Sequence, residues 1–203
     1  MRSSLSRLNR RYLNLPFPIR ALIALLMFCL IIVVTQPFQV FPYAFFSLWD
    51  KPPRDAQTLP AGVESFFIAT EDGEQLEVWR LEGQHGIRTR RTAAVVFHGN
   101  AASVANFFPY QRWLAAIGIT SYGFDYRGYG KSTGWPSEEG LYLDGKAVWS
   151  FAAEKESIAP EDILGVGISI GTGAAAHTAL HFKARTLMLV APYVSLKEAA
   201  RAV

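Results

Sequence analysis

Residues 163–180 read ILGVGISIGTGAAAHTAL, and most of the architecture can be inferred from this stretch. ILGV is short and apolar, as in a buried strand, and GTGAAAHTAL is typical of a helix whose small residues allow close packing. Ser169 lies between them, with Gly167 and Gly171 on either side in the pattern G-x-S-x-G. The chain must reverse from strand to helix within a few residues, which holds the serine in a strained backbone conformation. We expect both glycines to be required, because a Cβ at either position would clash across the turn.

The position of Ser169 predicts a chemical role. Its hydroxyl would lie at the N-terminus of a helix, where the helix dipole favours developing negative charge. Ser169 is therefore the candidate nucleophile, and the backbone N–H of Ile170 is expected to be one of the two donors that acyl transfer directs at an oxyanion. The alternative is a small-residue turn that packs strand against helix around an idle serine.

A second motif supplies a second candidate donor. Residues 93–103, AAVVFHGNAAS, read as a buried strand that ends in His98-Gly99-Asn100. We expect the Asn100 N–H to complete the oxyanion hole, Gly99 to permit the tight bend, and His98 to brace the loop without transferring protons. The alternative for this triplet is an ordinary strand-to-helix turn with Ser103 as the helix cap.

The rest of the chain predicts a mostly parallel sheet with helices on both faces. Short strands separated by helices, and apolar on both faces, belong to such a sheet, and their functional residues lie at the carboxyl ends of the strands. A β-hairpin is expected to precede these alternating strands and helices. Predicted strands span 64–70, 75–81, 93–97, 119–124, 163–166 and 186–190, and predicted helices span 104–116, 138–154 and 170–182.

Four stretches in this order resemble the alpha/beta-hydrolase superfamily, and more narrowly its serine aminopeptidase-like and monoacylglycerol lipase-like branch. They are VVFHGNAAS (95–103), YGFDYRGYGKSTGWPSEEGLYLD (122–144), GISIGTG (167–173) and LMLVAPYVSL (187–196). The resemblance implies an α/β-hydrolase fold, an ester, thioester or amide substrate, and a catalytic triad whose acid and histidine follow Ser169. It also implies a structural role for Asp125 and Arg127, as a pair at the floor of the site. No cofactor is expected.

None of the four histidines is a suitable triad member. His85 and His98 precede the serine on other segments, and eight residues of helix place His177 about 12 Å along the axis from Ser169. His177 and His181 have the spacing of a zinc pair but lack the glutamate of H-E-x-x-H, so no metal is expected. We interpret the chain as the N-terminal part of the domain, with the acid and histidine beyond Val203. This part is expected to be inactive by itself and to leave its last parallel strand as an open apolar edge.

The N-terminal residues predict a membrane anchor. Residues 21–34 are uninterruptedly apolar, and five arginines, but no acidic residue, precede them. We expect a cytoplasmic basic tail at 1–20, a transmembrane helix at 21–43, a linker at 44–62 and the hydrolase domain at 63–203. The positive-inside rule places that domain outside the cytoplasm, on the periplasmic side in a bacterium. The alternatives are a buried core helix and a cleaved signal peptide.

Charge and motif content narrow the class of function. Without the five N-terminal arginines, 15 basic residues remain against 17 acidic ones, so no nucleic-acid partner is expected. Gly130-Lys131-Ser132 resembles the end of a P-loop, but Asp125 occupies the position of the first glycine, and Gly134 with Pro136 would break the following helix. The expected partners are the membrane and a small acyl substrate, lipid or peptide-like. The alternative function is a catalytically silent, membrane-bound binding or scaffold module.

Overall fold

A computed structural model describes residues 58–84, 92–100 and 103–193, together with the single residues 16, 19 and 26. Contacts divide the chain into two units, Met1–Pro42 and Tyr43–Val203. The described ranges lie in the second unit. Apart from those three single residues, the predicted tail and anchor lie outside the described residues, as do most of the linker, His85 and residues 194–203. Within the described ranges we find no helix both long and apolar enough to cross a membrane.

Six strands form one mixed sheet in the order β1-β2-β4-β3-β5-β6. Strands β4, β3, β5 and β6 run parallel to one another, whereas β1 and β2 form an antiparallel hairpin that is joined antiparallel to β4. The strands are β1 Val63–Ala69, β2 Gln75–Leu81, β3 Ala93–Phe97, β4 Thr120–Phe124, β5 Leu164–Ile168 and β6 Thr186–Val190. The helices are α1 Val104–Ala116, α2 Glu138–Glu156 and α3 Gly171–His181, with a 3-10 turn at Pro160–Asp162.

Helices cover both faces of the sheet. Because successive side chains of a strand point to opposite faces, each strand can contact both helix layers. In β3, Ala93, Val95 and Phe97 pack with α2 and α3, while Ala94 and Val96 pack with α1 through Leu114. All five β3 residues are buried. The predicted helices on both faces are thus confirmed, and the predicted element boundaries agree with the structure to within two residues.

The register of β3 and β5 places their carboxyl ends side by side. Phe97 is paired with Gly167, and Val96 with Val166. The loop that follows β3 and the turn that follows β5 therefore emerge at the same edge of the sheet, where an α/β fold builds its site. This register brings residues 98–100 next to Ser169, about seventy positions later in the sequence.

The sequence predicts that Asp125 and Arg127 pair with each other, and this prediction is wrong because each binds other residues. The Arg127 guanidinium binds Asp144 of α2 at 2.9 Å and Asp72 of the β1–β2 turn at 2.6 Å. It ties the hairpin to the helix layer, with its side chain only 7% exposed. The carboxylate of Asp125 instead accepts a hydrogen bond from the Val104 N–H at 2.7 Å, at the start of α1. Neighbouring residues of one loop thus point to different layers.

Strand β6 lies at the edge of the described sheet, where it is paired with β5. Its Leu187 and Leu189 side chains are 36% and 38% exposed, in contrast to the fully buried β3. An apolar edge strand with unpaired backbone groups is a surface on which a further strand can pair. Among the described residues, β6 is thus an apolar strand at the edge of the sheet.

Candidate active site

Ser169 occupies a strained turn at the carboxyl end of β5. Its φ of 52° lies in the left-handed region, which non-glycine residues seldom adopt, and its side chain is exposed. The Ser169 N–H donates to the Val190 carbonyl at 2.9 Å, and its own carbonyl accepts from the Thr172 hydroxyl at 2.6 Å. Both backbone groups of the serine are therefore held, and the strain is maintained by the surrounding structure.

The two glycines of the turn stand where no side chain fits. An ideal Cβ at Gly171 would lie 2.3 Å from the carbonyl oxygen of Phe97, and one at Gly167 would lie 2.8 Å from the carbonyl oxygen of Gly171. Both neighbours are backbone atoms, so they cannot move aside independently. The clash that the sequence predicts at these positions is confirmed, and it explains how α3 can begin directly beside the end of β3.

The loop after β3 lies against the serine. A Cβ built on Gly99 would be 3.5 Å from the Ser169 Cβ and 3.6 Å from the Ile168 carbonyl oxygen. Among the described residues, no hydrogen-bond acceptor is seated on the backbone N–H of Asn100 or of Ile170. The structure thus brings Ser169, Ile170 and Asn100 to one place. Their roles as nucleophile and oxyanion donors stay predictions.

His98 braces its own loop. Its ring is 1% exposed, and its Nδ1 is 2.7 Å from the Gly99 carbonyl oxygen. Burial lowers the pKa of His98 to about 4, so the ring is neutral at pH 7. Because a carbonyl can only accept, the proton of the neutral ring resides on Nδ1. This contact to the loop agrees with the bracing role expected from the sequence.

The other ring nitrogen of His98 faces a buried acid that the sequence did not connect to it. His98 Nε2 is 3.6 Å from Asp125 Oδ1. Burial raises the pKa of Asp125 to about 7; the Val104 N–H and Lys131 lower it, and Glu77 raises it further. Below about pH 7 the Asp125 carboxyl is mostly protonated, and beside the neutral imidazole it then adds no net buried charge. In the sequence, only the order of the motifs HGN and DYRGYG related His98 to Asp125.

Two tyrosines from the loop after β4 also reach the β3 loop, and sequence reasoning missed both. The Tyr126 hydroxyl donates to the His98 carbonyl at 3.2 Å, and the Tyr129 hydroxyl donates to Asn100 Oδ1 at 2.6 Å. Burial raises the pKa of Tyr129 above its ordinary value, so its hydroxyl remains a neutral donor. Both tyrosines belong to the stretch DYRGYG (125–130), and no sequence pattern in it predicts these contacts.

The described histidines do not form a base for Ser169. His177 of α3 stacks on Tyr142 of α2, with ring centroids 3.9 Å apart, and burial lowers its pKa. In the ranges that the structure covers, neither His98, His177 nor His181 is hydrogen-bonded to Ser169. The same ranges contain no group of three or more His, Cys, Asp or Glu side chains arranged to hold a metal ion.

Comparison with known proteins gives a family and a set of relatives. Residues 88–203 match the family described as serine aminopeptidase, S33. The uncharacterized protein YfhR of Salmonella typhi is 34% identical over 113 residues, covering 55% of this chain and 39% of the relative. An uncharacterized protein of Mycobacterium tuberculosis is 32% identical over 146 residues, covering 72% of this chain and 51% of the relative. The chain thus spans about half the length, or less, of these relatives.

A solved structure supports the same assignment. An alpha-beta serine hydrolase homologue from Coxiella burnetii is 28% identical, with a TM-score of 0.56 over 71% of this chain and 69% of that one. The predicted alpha/beta-hydrolase fold with a mostly parallel sheet is confirmed by this likeness and by the strand order.

Proposed function

Because the chain belongs to the serine aminopeptidase, S33 family of alpha/beta serine hydrolases, we propose that the full-length protein hydrolyses an ester, thioester or amide bond with Ser169 as nucleophile. One observation carries the proposal. Ser169 is an exposed serine at φ 52°, and its Cβ lies 3.5 Å from where a Gly99 Cβ would be. A strained, accessible hydroxyl beside backbone N–H groups that have no acceptor among the described residues is the arrangement that acyl transfer requires.

In this mechanism the Ser169 oxygen attacks the acyl carbonyl carbon while its proton passes to a histidine. The N–H groups of Ile170 and Asn100 stabilise the negative charge that develops on the carbonyl oxygen. Collapse of the tetrahedral species expels the leaving group, which takes the proton from the histidine, and leaves an acyl-serine. Water then attacks the acyl-serine with the same histidine as base, releasing the acid and restoring Ser169.

The histidine and the acid that orients it are proposed to lie beyond Val203. Two facts support this. No described histidine is hydrogen-bonded to Ser169, and the chain spans 39% and 51% of the two relatives above. The exposed Leu187 and Leu189 of β6 provide an apolar edge on which further strands could pair and carry both groups to the site.

We also propose that residues 21–43 anchor the protein in a membrane with the hydrolase domain outside the cytoplasm. The support is the sequence pattern of five arginines followed by an uncharged apolar run. Alkaline phosphatase fused after residue 60 should be active in a bacterium, and an inactive fusion would place the domain in the cytoplasm. Recovery of a mature protein lacking the first thirty or so residues would identify a cleaved signal peptide instead.

The nucleophile is tested with a fluorophosphonate probe on the full-length protein. We expect rapid labelling of the wild type, none of Ser169→Ala, and unchanged labelling of Ser150→Ala, whose exposed serine lies on α2. Equal labelling of the wild type and Ser169→Ala would refute the proposal. A folded full-length protein that is never labelled would favour the silent binding module.

A further inference from the structure

The loop after β3 is held at three successive residues by groups that lie outside its own backbone. The His98 carbonyl accepts from the Tyr126 hydroxyl, the Gly99 carbonyl from the His98 ring, and the Asn100 side-chain oxygen from the Tyr129 hydroxyl. The last of these contacts, at 2.6 Å, is the shortest of the three. It is also the one that acts on the residue proposed to supply an oxyanion donor.

The direction of the Asn100 N–H follows from this geometry. In a planar trans peptide the carbonyl of one residue and the N–H of the next point in opposite directions. The ring of His98 holds the Gly99 carbonyl on the buried side of the loop. The Asn100 N–H must then point away from that side, and the close approach of Gly99 to the Ser169 Cβ places the serine at the loop.

The hydrogen bond from Tyr129 restricts rotation about the backbone bonds of Asn100. Rotation about the backbone bonds of Asn100 would swing its side chain, and Asn100 Oδ1 is fixed on a tyrosine that is only 8% exposed. That tyrosine is itself part of the ordered turn between β4 and α2, where the Tyr129 N–H donates to the Tyr126 carbonyl at 2.9 Å. A buried hydroxyl on a rigid turn is a suitable point of attachment.

We propose that Tyr129 is a positioning residue of the oxyanion hole, which acts through the side chain of Asn100 to hold the Asn100 N–H toward the reacting carbonyl. The inference rests on the proposed serine hydrolase function. Tyr129 touches neither the nucleophile nor the substrate carbonyl in this scheme. Its effect appears in the transition state, where the oxyanion forms, and not in the binding of the substrate ground state.

The test is Tyr129→Phe in the full-length protein, with a p-nitrophenyl ester as substrate and fluorophosphonate as probe. We expect kcat and the fluorophosphonate labelling rate each to fall about ten-fold, the effect of one lost hydrogen bond on a preorganised donor. KM should stay within about two-fold, because ground-state contacts are retained. Asn100→Ala, which keeps the backbone N–H but removes Oδ1, should reproduce the same loss.

A double-mutant cycle separates positioning from general stability. In the Asn100→Ala background, Tyr129→Phe should lower kcat no further, because the contact through which it acts is already absent. Tyr122→Phe is the matched control. It removes another buried hydroxyl, which donates to Glu156 at the C-terminal end of α2, and it should reduce stability while leaving kcat unchanged.

The outcomes distinguish this inference from the function on which it rests. If Ser169→Ala abolishes turnover but Tyr129→Phe has the kcat of the wild type, the positioning role is refuted and the nucleophile stands. If Tyr129→Phe and Tyr122→Phe lower kcat equally, or if the losses of Tyr129→Phe and Asn100→Ala multiply, Tyr129 is merely structural. If Ser169→Ala retains full turnover, both the proposed function and the positioning role are overturned.

Discussion

The two turns that form the candidate site are held by different forces. The turn after β5 depends on excluded volume, because Gly167 and Gly171 leave no space for a Cβ. The loop after β3 depends on hydrogen bonds from Tyr126 and Tyr129, which belong to another segment. Steric overlap with backbone rises steeply over tenths of an ångström, whereas a buried hydrogen bond contributes about 1 kcal/mol. Glycine substitutions in the turn after β5 should therefore abolish the fold of that turn, whereas substitutions in the loop after β3 should lower stability or activity by intermediate amounts.

The largest effect is expected from Gly171→Ala. The new Cβ would lie 2.3 Å from the Phe97 carbonyl oxygen and 2.6 Å from that of His98, so the end of β3 would have to move. We expect a loss of about 5 kcal/mol or more in the free energy of unfolding, comparable with the whole stability of many domains. Urea unfolding followed by circular dichroism measures it, and low soluble yield would be the first sign.

Gly173→Ala is the control for that prediction, two residues further along the same helix. Its Cβ would lie 2.4 Å from the Tyr193 hydroxyl and 3.3 Å from Tyr193 Cζ, a side-chain end that can move aside at the cost of one hydrogen bond to the Ile170 carbonyl. Alanine also favours helix over glycine by about 1 kcal/mol, so the net change should be within about 1 kcal/mol of zero. Equal damage from both substitutions would show that helix packing in general, and not the turn, is sensitive to volume.

A pH-dependent effect is expected from Asp125→Asn, which keeps an acceptor for the Val104 N–H. The carboxyl has a pKa of about 7 in the folded state and about 4 when unfolded, so folding takes up a proton between these values. Wild-type stability from this group therefore falls as the pH rises from about 4 to 7, by up to about 1.4 kcal/mol per pH unit. Relative to the wild type, the asparagine variant should gain stability across that window.

The measurement is urea unfolding of both proteins at pH 5 and at pH 7.5. His98 works in the opposite direction, because its pKa falls to about 4 on folding, and so it masks the trend in the wild type alone. The difference between variant and wild type removes the part of the His98 contribution that the two proteins share. A difference that does not change with pH would mean that Asp125 is already ionised at pH 5.

The smallest effect is expected from Tyr193→Phe. The Tyr193 hydroxyl donates to the Ile170 carbonyl at 3.1 Å, but that carbonyl also accepts from the Gly173 N–H at 3.3 Å. Removing one of two donors on a sterically fixed turn should cost about 1 kcal/mol of stability or less, and should leave kcat within about two-fold. A ten-fold fall in kcat, as expected for Tyr129→Phe, would show that both turns depend on tyrosine hydroxyls.

The strained serine turn could be found from sequence because the pattern that marks it is local, although the Phe97 and Val190 carbonyls that constrain it come from other strands. Gly167, Ser169 and Gly171 lie within five residues, between an apolar strand and a small-residue helix, and the φ of 52° at Ser169 follows from the reversal they permit. The elements themselves were equally local, since periodicity and breaker residues mark each strand and helix. The partners of charged side chains could not be predicted from local sequence. Arg127 was expected to pair with Asp125 but binds Asp72 and Asp144.

Local pattern thus established the order of the elements, the serine turn and the glycines that it requires. The contacts that hold the second turn depend on the strand order, which seats β3 between β4 and β5 and so brings Tyr129 to Asn100 and Asp125 to His98. These pairs lie 27 to 29 positions apart in the sequence, and no short motif relates them. Buried polar groups take whichever partner the packed layers present, because an unpaired one is too costly to leave in the core.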